Sequence, residues 1–199
     1  VSYHSWGIPC FGGSFKEIRA TRVSHVFCWD GVATRTLGQG VDGTVMAMVN
    51  YREMLLVGGV FNKAFQAQGN GFASTGSLAA WNGTWWSDVG TFLSGTVHAM
   101  VTDGSLLYVG GGFQRVNSLQ VGGLARYDGQ QWSDVGGGVG GGRVYAIAID
   151  NDALPVARLQ GAPIAPAVGL DAELQGLDEL RVERGRRIVG DRHLGRGRG

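Results

Sequence analysis

One unit of sequence recurs along this chain and limits what it can fold into. Val26-Phe27-Cys28-Trp29-Asp30-Gly31 returns as Leu78-Ala79-Ala80-Trp81-Asn82-Gly83 and then as Leu124-Ala125-Arg126-Tyr127-Asp128-Gly129, 52 and 46 residues further on. Five residues after each aromatic begin Thr34-Arg35-Thr36-Leu37-Gly38, Trp86-Ser87-Asp88-Val89-Gly90 and Trp132-Ser133-Asp134-Val135-Gly136. Val45-Met46-Ala47-Met48-Val49 is matched by Val97-His98-Ala99-Met100-Val101 and, after a one-residue slip, by Val144-Tyr145-Ala146-Ile147-Ala148. A glycine doublet closed by phenylalanine completes the unit at Phe11-Gly12-Gly13-Ser14-Phe15, Val57-Gly58-Gly59-Val60-Phe61 and Val109-Gly110-Gly111-Gly112-Phe113. Trp29 to Phe61 and Trp81 to Phe113 are both 32 residues. A constant spacing of that length marks a repeat architecture.

Each period holds four short apolar runs separated by Asp-Gly, Asn-Gly or glycine-rich turns, the pattern of four antiparallel strands and of one propeller blade. Strands are expected near 44–50, 53–58, 77–81 and 84–89, and again between 96 and 135. Val45-Met46-Ala47-Met48-Val49, apolar at every position, reads as an inner strand covered on both faces, and Trp85 and Trp86 suit packing between blades. Thirty-six glycines with only four prolines fit this reading, because a chain that keeps 10% aromatics is neither collagen-like nor a disordered Pro/Gly tract. The expected fold is an all-β partial propeller of residues 1–154, with two complete blades, a first blade lacking its inner strand and a fourth beginning at Arg143. Two complete blades are too few for a conventional ring.

With these residues in view, Leu107-Tyr108-Val109-Gly110-Gly111-Gly112-Phe113, Leu124-Ala125-Arg126-Tyr127-Asp128-Gly129 and Trp132-Ser133-Asp134-Val135-Gly136 resemble kelch-type repeats of the galactose-oxidase-like propeller superfamily. The nearest pattern is that of bacterial and fungal cell-surface repeat proteins. The resemblance covers residues 7 to 154 and implies an extracellular or cell-surface scaffold that binds a protein or glycan without catalysis. The alternative is a propeller attached to an enzyme whose galactose-oxidase-like or glycan-active site lies in other blades. Galactose oxidase builds its copper site from tyrosines and histidines, and no motif here matches it.

After Leu154 the repeat stops at Pro155-Val156-Ala157-Arg158, and from Ala146 onward the chain has no Phe, Trp or Tyr. Residues 155–199 are expected to be an unrelated non-β tail, mobile or loosely helical, with Asp171 capping a short helix that carries Leu174, Leu177 and Leu180 on one face. Seven arginines against Glu183 and Asp191 make its end basic. That end reads as a disordered or out-of-frame terminus rather than an arginine-glycine nucleic-acid-binding tail, and the net charge of +1 adds no electrostatic reason for a nucleic acid partner. No apolar run is long enough to span a bilayer. The chain opens without methionine, so a leader would lie upstream.

Several motifs invite a chemical reading. Gly38-Gln39-Gly40-Val41-Asp42-Gly43 and Gly136-Gly137-Gly138-Val139-Gly140-Gly141 spell the dinucleotide fingerprint, but that motif needs a helix after it and a strand pattern follows here, so no cofactor is expected. His4, His25, His98 and His193 lack metal-ligand spacing, and no metal site or catalytic residue is assigned. Asp88 and Asp134 recur at one repeat position, which favours turn bonding over acid/base work. Asn82-Gly83-Thr84 is a glycosylation sequon and also a hairpin turn. Cys10 and Cys28 fall on neighbouring strands, where a cross-strand disulfide and two buried free thiols are both open.

One stretch departs from the repeat length. Phe61 to Leu78 spans 17 residues, whereas Phe15 to Val26 and Phe113 to Leu124 span 11. The insertion, within Asn62 to Gly76, offers Phe65 and Phe72 as apolar anchors with Gln66, Gln68 and Asn70 as amide hydrogen-bonders, suited to a glycan or polypeptide. Phenylalanines that merely cover a blade edge are the competing reading. The insertion is expected beside Thr91 to Ser94 and Gly137 to Gly142.

Overall fold

The structure, a computed structural model, describes residues 2–3, 7–69, 71–90, 93–139, 142–149, 156–159 and 165–166. These residues are all β, with no helix, in small antiparallel sheets of two to four strands, and no sheet closes on itself. Sheet I runs Ser2–Tyr3, Pro9–Gly12, Val26–Trp29, Thr34–Thr36. Sheet II runs Thr44–Tyr51, Met54–Val60, Leu78–Trp81, Trp86–Ser87. Sheet III runs Val97–Thr102, Leu107–Gly111, Leu124–Tyr127, Trp132–Asp134, and sheet IV runs Val144–Ala148, Val156–Leu159, Ala165–Pro166. Each is a meander whose strands neighbour in chain order, as short runs joined by tight turns require. Sheets II and III stand where the repeat places them.

Two expectations change. Sheet I has four strands, because Ser2–Tyr3 pairs with Pro9–Gly12 and fills the inner position. A two-residue strand carries no apolar pattern, which is why comparison of repeats misses it. Sheet IV passes the expected boundary at 154, since Val156–Leu159 pairs with Val144–Ala148 and Ala165–Pro166 adds a third strand. The free edge of Val144–Ala148 offers unpaired backbone groups, and pairing satisfies them without any repeat motif in the partner. The helix expected from Asp171 and the arginine run lie outside the described residues.

The second strand, not the inner one, is buried on both faces. Leu55, Leu56 and Val57 are all fully buried: Leu55 and Val57 join Trp81, Trp86 and Val45 in the core between sheets I and II, while Leu56 joins Val97, Leu107 and Val109 in the core between sheets II and III. Alternating residues of one strand thus feed two cores, which the period of two makes possible. The inner strand Thr44–Tyr51 is buried only at Val45 and Tyr51, and Met46 is half exposed. It forms the edge of its sheet, so its outer side meets no fifth strand.

The glycine doublet has a steric cause at the junction between successive sheets. A Cβ placed on Gly58 would lie 2.5 Å from Val97 Cγ1, and one on Gly110 would lie 2.5 Å from Val144 Cγ1. Gly12 stands in the same relation to Val45 and Met48. At three junctions, then, glycine lets the backbone of one sheet touch the valine that opens the next inner strand. That valine precedes a recurring irregularity: the pairing of inner and second strands slips between Val45 and Ala47, Val97 and Ala99, and Val144 and Ala146. Met46, His98 and Tyr145 are the extra residues, and a bulge of this kind bends the strand and redirects the side chain. The His98 and Tyr145 rings stack at 4.6 Å between centroids.

The outer strands are tied across the same junctions. Trp86 Nε1 donates to Leu37 O at 2.8 Å, and Trp132 Nε1 donates to Val89 O at 3.5 Å, one sheet further on. Trp85, also expected at a junction, is instead 56% exposed, because its neighbour Trp86 takes the inward face. Cys10 and Cys28 are directly opposed in sheet I and are joined in a disulfide. The same register pairs Leu56 with Ala80 and Tyr108 with Arg126. A bond closing a loop of this length restrains the unfolded chain by about 3 kcal/mol in the chain-entropy account.

The aromatic-Asx-Gly motif is a side-chain-capped turn. Asp30 Oδ1 accepts from Val32 N at 2.9 Å and Ala33 N at 2.7 Å, and Asn82 and Asp128 accept from two backbone N–H groups in the same way. Asp88 and Asp134 accept from Gly90 N and Gly137 N, each at 2.8 Å. At Asp30 and Asp128 the paired backbone bonds favour the ionised carboxylate. The bonds from Ala33 and Val32, followed by that from Arg35, lower the Asp30 pKa to about 2. A depressed carboxylate stabilises the fold above its unfolded pKa and loses that contribution as pH falls through the folded value. Carboxyl NMR titration is expected to place the Asp30 midpoint near pH 2. Arg35→Ala should raise it only part of the way to an ordinary aspartate, and a full return would show that the backbone bonds are not the leading cause.

Candidate functional site

The hairpin between second and third strands recurs in all three sheets that have a third strand in the repeat. It is Glu17–Ile18 with Thr21–Arg22 in sheet I, Lys63–Phe65 with Phe72–Ser74 in sheet II, and Arg115–Val116 with Leu119–Gln120 in sheet III. The six inserted residues lengthen the second of these. Its strand Lys63–Phe65 also pairs with Gly40–Val41, in the connection that enters sheet II, as Val116 bridges to Leu93 in the connection that enters sheet III. Among the described residues the hairpin thus bonds to the connection entering its own sheet, at residues 39–42, and the expected place beside 91–94 and 137–142 gives way to that pairing.

Of the residues named for ligand contact, the structure assigns different work to each. Gln66 is taken up by the scaffold: its Nε2 donates to Trp86 O at 2.8 Å and its Oε1 accepts from Trp86 N at 2.9 Å. Phe65 and Phe72 meet edge to face at 6.4 Å between centroids, Phe65 half-buried and Phe72 48% exposed. Lys63 Nζ lies 4.5 Å from the centroid of the Phe72 ring, a cation–π distance. Gln68 is exposed, and Asn70 lies outside the described residues. Asn82 is exposed, and its Nδ2, the atom a glycan would take, has no partner among the described residues.

The insertion also walls a cleft of about 500 Å³, with the sheet I hairpin on the opposite side and the connection Thr36–Asp42 as its floor. Lys16, Arg22, Ser24 and His25 line one side, Thr36, Gln39 and Asp42 the floor, and Phe65 the other. The floor is the stretch that spells the dinucleotide fingerprint, and its glycines have a steric reason to be there. A side chain at Gly38 would strike Phe65 O and the Trp86 ring, and one at Gly40 would strike Ser24 O. Val41 N donates to Ser24 O at 3.0 Å, Gln39 Nε2 donates to Gly69 O at 3.1 Å, and Asp42 Oδ1 accepts from Asn62 N and Lys63 N at 2.8 and 2.9 Å. Both walls are thereby pinned to the floor.

Ser24 and His25 stand where the chain turns into the third strand with two successive left-handed residues, φ 39° and 75°. The matching positions are Gly76-Ser77 and Gly122-Gly123, with the same turn hydrogen bonds. Only sheet I makes this turn without glycine, at a cost in backbone strain. His25 is buried, and its Nδ1 lies 3.2 Å from Gly13 O, a carbonyl to which that nitrogen can only donate. None of Lys16, Arg22, Ser24 and His25 was singled out by sequence for this cleft. Aligning the two residues before Val26, Leu78 and Leu124 is the signal that would have flagged Ser24-His25.

Among the described residues no group of three or more His, Cys, Asp or Glu is placed to hold a metal ion, and no helix is long and apolar enough to cross a membrane. No family model matches the chain, and no curated protein matches it.

Proposed function

We propose that the sheets are kelch-like blades of a partial β-propeller and that the chain is a non-catalytic scaffold binding a protein or glycan at a cell surface. The recurring bulge, glycine–valine junction and tryptophan tie support the blade reading, because they repeat a rigid sheet-to-sheet step. The disulfide supports an oxidising setting. The observation that carries the binding role is the inserted hairpin. It is held by Gly40–Val41, Gln66 and Asp42, yet it leaves Phe72 about half exposed beside Lys63. A rigid loop presenting an aromatic is a preorganised contact.

Arrays of glycans and of peptides, probed with the full chain, are expected to return ligands whose binding falls at least about tenfold on Phe72→Ala, as for a central aromatic contact. The half-exposed side chain makes little of the core, so the unfolding midpoint should hold. Unchanged binding with lowered stability would make the hairpin structural and defeat the assignment.

A further inference from the structure

We propose that the cleft between the Glu17–Arg22 hairpin and the inserted hairpin binds a uronic-acid unit of an acidic glycan, the sugar carboxylate lying against Lys16 and Arg22. This rests on the scaffold reading and names its ligand. At about 500 Å³ the cleft is in the range of small-ligand sites and has room for one or two sugar rings.

Its charges are uncommitted. Among the described residues the one ion pair is Arg35 with Asp30, and neither the Lys16 ammonium nor the Arg22 guanidinium has a hydrogen bond or ion pair to a described residue, the Lys16 bonds from Val23 N and Ser24 N going to its backbone O. Two free cations on one wall call for an anion, and an arginine fork matches a carboxylate in a bidentate geometry. The remaining lining is that of a sugar site. Ser24 and Thr36 offer hydroxyls, His25 offers its second ring nitrogen, Nε2, and Asp42 spends Oδ1 on backbone N–H groups and keeps Oδ2 for ligand hydroxyls. Phe65 supplies an apolar wall for the C–H face of a ring. Inorganic phosphate, with few hydroxyls and no C–H face, would leave most of these groups and the Phe65 wall unmatched. The strained Ser24-His25 turn adds a second line of support. Where the matching turns are Gly76-Ser77 and Gly122-Gly123, this one has no glycine, and its two polar side chains both line the cleft.

Calorimetric titration of the full chain with trigalacturonate, neutral galactotriose, a glutamate-rich hexapeptide and inorganic phosphate tests this. Trigalacturonate should bind, weaken with added salt, and lose at least about tenfold in affinity on Arg22→Ala or Lys16→Ala, the scale of a charge-assisted hydrogen bond. Arg126→Ala, on the exposed face of sheet III, should leave it unchanged. Absence of trigalacturonate binding, equal affinity for galactotriose, tighter binding of the peptide or phosphate, or insensitivity to Arg22→Ala would each overturn the assignment. The scaffold reading would survive any of these if an array ligand still depended on Phe72, and would fall if the chain cleaved or oxidised the sugar.

Discussion

Trp86→Ala should be among the most damaging single substitutions in this chain, with an expected loss of about 3–5 kcal/mol for truncating a buried tryptophan. The side chain is 2% exposed and packs against Trp81 at 5.2 Å between ring centroids. Its Nε1 donates across the junction to Leu37 O, and its backbone is held at both N and O by Gln66. Alanine would open a cavity between sheets I and II and remove one of the two hydrogen bonds to the Leu37 carbonyl, which also accepts from Gly40 N. Trp86→Phe separates the two effects: it keeps most of the packing and loses the donor, so about 0.5–1.5 kcal/mol is expected for the lost hydrogen bond alone. Trp132 holds the same repeat position one sheet later but is only half-buried, with its Nε1 at 3.5 Å from Val89 O. Trp132→Ala should therefore cost clearly less. Urea unfolding followed by far-ultraviolet circular dichroism measures all three, and equal losses for Trp86→Ala and Trp132→Ala would contradict the graded burial of the two junctions.

How much of this was legible in the sequence depends on whether a feature repeats. Sheets II and III were legible because strand period, Asx turns and glycine doublets recur in register, and each recurrence has a local physical cause. The insertion was legible as a length, 17 residues against 11. Its role was not, because whether Gln66 faces solvent or bonds the Trp86 backbone depends on a partner 20 residues away. The inner strand of sheet I and the second strand of sheet IV were hidden for a related reason. Main-chain pairing holds Ser2–Tyr3 and Val156–Leu159 in place, and backbone hydrogen bonds leave no side-chain signature. The cleft is a junction between two hairpins from different sheets, and only Ser24-His25, a turn without the glycine that Gly76-Ser77 and Gly122-Gly123 both carry, leaves a trace of it in the sequence.

The glycine–valine junction predicts a compensating pair. Gly58→Ala would place its Cβ 2.5 Å from Val97 Cγ1, 3.0 Å from Val97 Cβ and 3.3 Å from Met100 Cε, so sheets II and III must separate or Val97 must shift. Overpacking of this kind is expected to cost about 1–3 kcal/mol. Val97 is itself fully buried, and Val97→Ala should cost about 1–2 kcal/mol, two methyl groups' worth of lost burial. The obstacle to Gly58→Ala is a side chain, and Val97→Ala removes the atom that is nearest. The double variant should therefore lose less than the two single losses together, by about 0.5–2 kcal/mol, the coupling of residues in contact. Gly59→Ala provides the contrast, because its Cβ would meet the Thr44 carbonyl and the Met46 backbone nitrogen, which no side-chain truncation can move. Combined with Val97→Ala it should be additive or nearly so. If Gly58→Ala were also additive with Val97→Ala in urea unfolding, the sheets would not meet through this junction. The same test at Gly110 and Val144, again 2.5 Å apart in the hypothetical contact, would then ask whether the step from sheet III to sheet IV is built differently.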